Sequence, residues 1–188
     1  MEKFLKEQYE FSDYQIAQLQ YVAKTVASEL SKLLIMGFLF RRQLGIYIAA
    51  VSLMLLLRTS TGGLHCKKYF SCFLMSFSFI FLCLSVLPNI PAPKVIQLPL
   101  LFICMLLNYY IGPVTSAVHR PLDEEHINRS KKHVLLTIFF YLTISYIAPE
   151  NPYCTAGFWV VILHTLQLIA AKIKKKGEKH EKQIEKSH

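Results

Sequence analysis

The sequence predicts an all-α fold: a polytopic helical membrane protein with four clear membrane helices, up to six in all, and an N-terminal amphipathic helix. Hydrophobic residues make up 53% of the 188 residues, and the mean hydropathy is +0.35. Long apolar runs recur along the chain, and prolines, glycines or charged residues separate them. A chain of this length has room for one compact unit of several spans, so we expect residues 1–188 to form a single membrane-embedded domain.

The N-terminal part of the chain carries the weaker membrane signals. Residues 1–20 alternate acidic, basic and apolar side chains, as a helix lying in the membrane interface does. Its apolar face would hold Phe4, Leu5, Tyr9, Ile16 and Leu19. Arg41 and Arg42 interrupt the next apolar stretch, and the run at 44–57 is shorter than the roughly 20 residues of a straight span. Residues 26–57 could therefore cross once, cross twice or re-enter.

Four later runs are expected to cross the membrane, residues 69–87, 95–111, 134–148 and 158–173. The proline-rich residues 88–93 cannot continue a helix, and Gly112-Pro113 closes the second run. A polar loop is expected at 120–132 and a short turn at 149–152. A basic tail, residues 174–188, is expected to lie in solvent or on the lipid surface.

The charge distribution orients these spans. A net charge of +9 would suggest nucleic acid in a soluble protein, but here the basic residues flank apolar runs. We therefore expect a lipid bilayer as partner and no nucleic acid. The tail and the loop at 120–132 are basic, and cytoplasmic loops collect Lys and Arg, so residues 65–68 are expected on the cytoplasmic side. Arg41-Arg42 departs from this rule if two spans precede Arg58. No short basic leader with a cleavage site opens the sequence, so insertion should rest on the internal spans.

The residues with the clearest chemical potential are His65 and Cys72. An imidazole near a thiol is the usual way to generate the nucleophilic thiolate. On one straight helix, a separation of seven residues would leave the two side chains about 10 Å apart along the axis, too far for proton transfer. Gly62 and Gly63 allow the chain to turn sharply before His65. A His65–Cys72 dyad therefore requires a bent backbone.

Two other readings of these residues stay open on residue types alone. Cys72 could be an inert apolar side chain that follows a polar helix start, as buried cysteines commonly are. Alternatively, His65, Cys66 and Cys72 could bind a metal, although a fourth ligand and the spacing of structural zinc sites are missing.

The remaining cysteines and the intramembrane histidine suggest structural roles. The five cysteines have no CxxC spacing and are expected to be reduced. Cys83 and Cys104 lie inside apolar runs, where a thiol behaves as a hydrophobic group. His164 lies within the last span and is interpreted as an interior histidine with its hydrogen bonds satisfied.

The order of Arg58, Gly62-Gly63-x-His65 and Cys72, just before an apolar span, resembles the signature of the accessory gene regulator B (AgrB) family. These are bacterial membrane peptidases that process quorum-sensing propeptides. The order and spacing match, and they favour the dyad over the inert and metal-binding readings.

A second segment supports the same resemblance. Pro113, then residues 119–125, then Arg129, Lys131 and Lys132 resemble the family's proline-containing loop with its basic end. Chain length and span pattern are similar too, so the resemblance covers nearly the whole chain.

The resemblance implies a cysteine endopeptidase in the bacterial cytoplasmic membrane, with its site facing the cytoplasm. Cys72 would attack the scissile carbonyl of an AgrD-like propeptide, and His65 would transfer the proton. The resulting thioester would cyclise to a thiolactone or lactone autoinducing peptide, of the kind that regulates virulence. The supporting or substrate-binding positions that it implies are Arg58, Gly63, Arg129, Lys131 and Lys132. A homodimer is implied, and no cofactor or metal.

One residue departs from the family's pattern, and one other class of protein stays open. Cys66 places a second thiol next to His65, which departs from the family's minimal pattern. The rival class is a non-catalytic small membrane transporter or peptide exporter component, in which the polar helix starts line a passage and Cys72 is chemically inert.

Overall fold

The computed structural model describes residues 13–62, 69–90, 92–114, 123–148 and 151–185. In these ranges the chain forms six α-helices and no strand, so the all-α prediction is confirmed. In chain order the helices are α1 (Asp13–Leu39), α2 (Leu44–Thr61), α3 (Tyr69–Phe81), α4 (Lys94–Ile111), α5 (Glu124–Ile147) and α6 (Pro152–Glu185).

Three helical segments in the described ranges are long and apolar enough to cross a membrane, Arg41–Thr61, Tyr69–Asn89 and Pro152–Gly177. Val95–Ile111 is a shorter apolar helix. The apolar run at 44–57 is by itself shorter than a straight span. A 3₁₀ turn, Arg41–Gln43, precedes α2, and the helix continues to Thr61, so the segment reaches 21 residues. These lengths and compositions are those of a membrane protein.

The chain divides into two compact units, Met1–Arg42 and Gln43–His188. The described part of the first unit consists mainly of α1, in which Lys32 pairs with Glu29 one turn earlier at 2.7 Å. Residues 1–12, the larger part of the predicted amphipathic helix, lie outside the described residues. The single-domain organisation stays a prediction.

In the unit Gln43–His188, α6 packs against both α2 and α4, while α5 packs against α4 and α2. The fully buried apolar side chains of these four helices include Leu57, Leu101, Ile138, Phe158, Val160 and Leu168, and Ile80 on α3 is fully buried as well. The α3 segment continues as a π turn, Leu82–Val86, and a 3₁₀ turn, Leu87–Asn89, and both contact α6. The core of this unit therefore surrounds α6.

Two predicted helix ends are confirmed. Helical structure after α3 stops at Asn89, within the proline-rich segment, and α4 begins only at Lys94. At the other end of α4, Gly112 adopts a positive φ of 66° and its N–H donates to the carbonyl of Asn108. Glycine is common at this position because it has no Cβ to clash in the left-handed region.

The polar loop predicted at 120–132 is wrong for residues 124–132, which form the first turns of α5. Asp123 occupies the N-cap position, and Glu124 and Glu125 lie in the first turn, where negative charge suits the helix dipole. High charge density had indicated a loop, but a helix outside the hydrocarbon region tolerates charge. The tail is helical as far as Glu185, because α6 continues to that residue.

Candidate active site

The two sequence segments that suggested a function meet at the ends of α2 and α4. An isolated parallel bridge pairs Gly62 with Val114, and the N–H of Val114 donates to the carbonyl of Thr61 at 2.9 Å. The N–H of Gly62 donates to the carbonyl of Arg58 at 2.8 Å. We call residues 58–62 and 111–114 the helix-end junction. It joins the segment that precedes His65 to the segment that contains Pro113.

Gly62 is required at this junction for two reasons. Its φ is +75°, in the left-handed region that disfavours side chains. A Cβ at this position would also lie 2.5 Å from the carbonyl oxygen of Val114. The sharp turn predicted at the glycine pair is therefore present at Gly62, where the chain leaves α2.

Only one residue of the predicted dyad, Cys72, lies in the part of the chain that the structure describes. Cys72 lies in the first described turn of α3 with 6% of its surface exposed, and its thiol is free. His65, Gly63 and Cys66 lie outside the described residues. The structure thus gives the start of the connection at Gly62 and its end near Cys72, and the dyad itself stays a prediction.

Basic side chains gather around the C-terminal end of α4. The ammonium group of Lys131 on α5 lies 5.3 Å from the ring centroid of Tyr109, and its side chain covers Gly112. The ammonium group of Lys172 on α6 donates to the carbonyl of Ile111 at 3.3 Å. Positive charge is favourable here because the last carbonyls of a helix carry partial negative charge. These contacts attach α5 and α6 to the helix-end junction.

The four predicted supporting residues that the structure describes divide into two groups. The structure brings Arg58 and Lys131 to the helix-end junction, where both are half-buried. Arg129 and Lys132 are exposed on α5.

Sequence reasoning missed a set of buried polar side chains beneath the helix-end junction. The hydroxyl of Thr61 lies 2.8 Å from Nε2 of His164. The amide of Asn108 on α4 donates to the hydroxyl of Thr165 and to the carbonyl of Cys104, each at 2.8 Å. The signal available in the sequence was the presence of polar residues inside apolar helices, which are costly there unless paired. We call Thr61, Asn108, His164 and Thr165 the buried polar cluster.

An apolar groove lies between α3 and α6 and has a volume of about 620 Å³. Phe70 and Ser71, the neighbours of Cys72 on α3, line one part of it, and Leu166 and Gln167 on α6 line another. The groove therefore runs along the helix that carries the predicted nucleophile.

Within the described ranges, no three His, Cys, Asp or Glu side chains come together in a way that could hold a metal ion. Two of the three ligands that the metal reading needs, His65 and Cys66, lie outside those ranges.

Comparison with known proteins places both segments of the helix-end junction in one family. The family model described as Accessory gene regulator B matches residues 1–168. An AgrB-like protein of Clostridium beijerinckii is 24% identical over 136 residues, which cover 71% of this chain and 67% of that protein. No solved structure matches the chain. The match includes the glycine pair, the proline-containing segment and the buried polar cluster, and this chain belongs to the accessory gene regulator B (AgrB) family.

Proposed function

We propose that this chain is a membrane cysteine endopeptidase that removes the C-terminal part of an AgrD-like propeptide and promotes its closure into a ring. Membership of the AgrB family supports involvement in processing agr quorum-sensing propeptides. The observation that carries the finer proposal is the helix-end junction. It pairs Gly62 with Val114 and so holds together the two segments on which the sequence resemblance depends.

In the first step, the thiolate of Cys72 attacks the scissile carbonyl of the propeptide. His65 takes the thiol proton and gives it to the leaving amine as the C–N bond breaks. The C-terminal fragment leaves with a free amino group, and the rest of the peptide stays on Cys72 as a thioester. Cys72 is 6% exposed, and this burial limits the access of water to the intermediate.

In the second step, a cysteine or serine of the bound peptide attacks the thioester carbonyl. The new thioester or ester closes the ring as the thioester bond to Cys72 breaks, and the proton of the attacking thiol or hydroxyl passes through His65 to the departing thiolate. Because a thioester keeps the acyl group activated, no further energy source is needed. Exclusion of water favours this transfer over hydrolysis.

The surroundings of the site suit the two ends of such a substrate. The apolar groove between α3 and α6 offers a place for an apolar peptide face along the helix that carries Cys72. Lys131 and Lys172 place positive charge at the helix-end junction, which favours an acidic C-terminal segment. Arg129 and Lys132, exposed on α5, extend this basic surface.

We assign the helix-end junction to the cytoplasmic side of the membrane. Arg58, Lys131 and Lys172 come from three helices and all lie at this end of the unit Gln43–His188. Lys and Arg accumulate on the cytoplasmic side of membrane proteins. A reducing cytoplasm would also keep the thiol of Cys72 available. The homodimer implied by the resemblance belongs to the same proposal.

Reconstitution tests the proposed function directly. Purified protein in liposomes is mixed with a cognate propeptide, and the products are followed by mass spectrometry. We expect a released C-terminal fragment and a cyclic peptide. We also expect a hydroxylamine-sensitive adduct on the fragment of the enzyme that contains Cys72. A wild-type protein that is correctly inserted but forms neither fragment nor adduct would contradict the proposal and favour a non-catalytic membrane protein.

Lys131 provides a second test. Lys131→Met keeps the aliphatic stem over Tyr109 and Gly112 but removes the charge from the end of α4. We expect kcat/KM for cleavage to fall roughly two- to fivefold, the size of a charge–helix-end interaction. Lys132→Met should have a smaller effect because Lys132 is exposed on α5, and Lys176→Met, on the exposed tail of α6, should have none. Equal losses at positions 131 and 132 would show that the contact with α4 is not the cause.

A further inference from the structure

A buried hydrogen bond connects the end of α2 to the middle of α6. Thr61 is 2% exposed and His164 is 3% exposed, and Oγ1 of Thr61 lies 2.8 Å from Nε2 of His164. The Thr61 hydroxyl also lies 2.8 Å from the carbonyl of Leu57, to which it can donate its single proton. In that arrangement its oxygen accepts from Nε2–H of His164, and the tautomer of the imidazole decides which group donates across the contact.

The backbone of Thr61 is bound by the segment that follows α4. Its carbonyl accepts the N–H of Val114 at 2.9 Å. Its successor, Gly62, turns with a φ of +75° while its N–H donates to Arg58. The side chain of Thr61 thus attaches to α6 and its backbone to the segment after α4. Together these bonds set the direction in which the chain leaves α2 toward His65.

Thr165, which follows His164 on α6, makes a similar buried hydrogen bond with α4. The hydroxyl of Thr165 accepts from the amide of Asn108, which is 1% exposed near the end of α4. Two consecutive residues of α6 therefore bind the last turns of α2 and α4, the helices that form the helix-end junction. Polar groups at membrane depth that pair in this way restrict how neighbouring helices slide or rotate.

We propose that His164 is a positioning residue for the cleavage reaction. Through Thr61, it holds the end of α2 and so sets the point from which the following segment brings His65 to Cys72. His164 itself touches neither substrate nor the reacting atoms. This inference rests on the proposed function, because it assigns His164 to the geometry of that dyad.

Two pairs of variants separate positioning from packing. His164→Leu keeps an apolar volume without a donor, whereas His164→Gln can donate an N–H toward Thr61. In the same way, Thr61→Val removes the hydroxyl and Thr61→Ser keeps it. In liposomes we expect His164→Leu and Thr61→Val each to lower kcat at least about tenfold, as a small misplacement of reacting groups does, with KM nearly unchanged. The Gln and Ser variants should recover most of the rate.

The control and the double variant complete the kinetic test. Thr143→Val removes a hydroxyl that binds only the preceding turn of α5, at Phe139, and it should leave kcat unchanged. The double variant Thr61→Val/His164→Leu should lose no more than either single variant, because both remove the same bond. Wild-type kcat in both single variants, or equal losses in His164→Leu and His164→Gln, would overturn the proposal.

A second measurement does not depend on catalysis. In a Cys66→Ala background, His65→Cys introduces a thiol that can be oxidised to a disulfide with Cys72, which requires the two backbones to approach closely. We expect His164→Leu to slow this cross-link at least about tenfold and His164→Gln to restore it. An unchanged rate in His164→Leu would overturn the positioning role. Failure of the proposed function would instead show as undiminished cleavage by Cys72→Ala, whatever the cross-linking rate.

Discussion

Replacing Cys72 with alanine is expected to abolish propeptide cleavage while the protein still inserts. The proposed reaction passes through a thioester on Cys72, and no other atom of that side chain can form the bond. Loss of a catalytic nucleophile lowers kcat on the order of 10⁴-fold or more. Alanine fills most of the space of the small buried side chain at the start of α3, so the helix should be retained. Mass spectrometry should find intact propeptide and no hydroxylamine-sensitive adduct.

Two other cysteines serve as matched controls. Cys83 is fully buried in the π turn after α3, and Cys83→Ala removes an identical thiol from the core. We expect that variant to cleave at a rate close to wild type. Cys66→Ala removes the second thiol beside His65 and should also cleave. If Cys66→Ala is inactive while Cys72→Ala is active, the nucleophile is Cys66 and the assignment of Cys72 is wrong.

The second large effect is expected from Gly62→Ala. A side chain at a φ of +75° costs about 1–2 kcal/mol, and its Cβ would lie 2.5 Å from the carbonyl oxygen of Val114. The helix-end junction must open to accommodate it, which moves the start of the segment that carries His65. We expect cleavage to fall at least about tenfold. The measurements are the cleavage rate in liposomes and the thermal unfolding of the detergent-solubilised protein.

Gly177 provides the matched control for this substitution. It lies in the helical tail of α6, and a Cβ there would meet no atom within 4 Å. Gly177→Ala should cleave like wild type and stabilise the helix by about 0.5–1 kcal/mol, because alanine loses less backbone entropy. Wild-type cleavage by Gly62→Ala would show that the conformation of the helix-end junction does not matter for the reaction.

These expectations share one structural reason. In the proposed mechanism, His65 reaches Cys72 only if the chain leaves α2 in the right direction. Gly62, Thr61 and His164 act on that direction through different bonds. Gly62 permits the turn, the Thr61 carbonyl binds Val114, and the Thr61 hydroxyl binds His164. A loss at any of the three should therefore lower the rate of the chemical step more than the affinity for the propeptide.

Much of the architecture was predictable from local sequence. Apolar runs identified the helices after residue 69, since a helix that crosses a membrane must be apolar over a known length. The proline-rich segment at 88–93 and Gly112 predicted helix ends because their backbone restrictions are local. The start of α5 was missed, although Asp123, Glu124 and Glu125 are a typical N-terminal signal, because charge density had favoured a loop.

The candidate site was likewise predictable in part from the sequence and in part only from the structure. The sequence by itself determined which residues are candidates for the proposed chemistry, because a thiol, an imidazole and a glycine pair are recognisable by type and spacing. Only the tertiary structure showed that Gly62 meets Val114 and that Thr61 meets His164, a contact between residues 103 positions apart. Such contacts depend on how α2, α4 and α6 pack. No pattern within a single helix specifies that packing, because the free energy of pairing buried polar groups belongs to two helices at once.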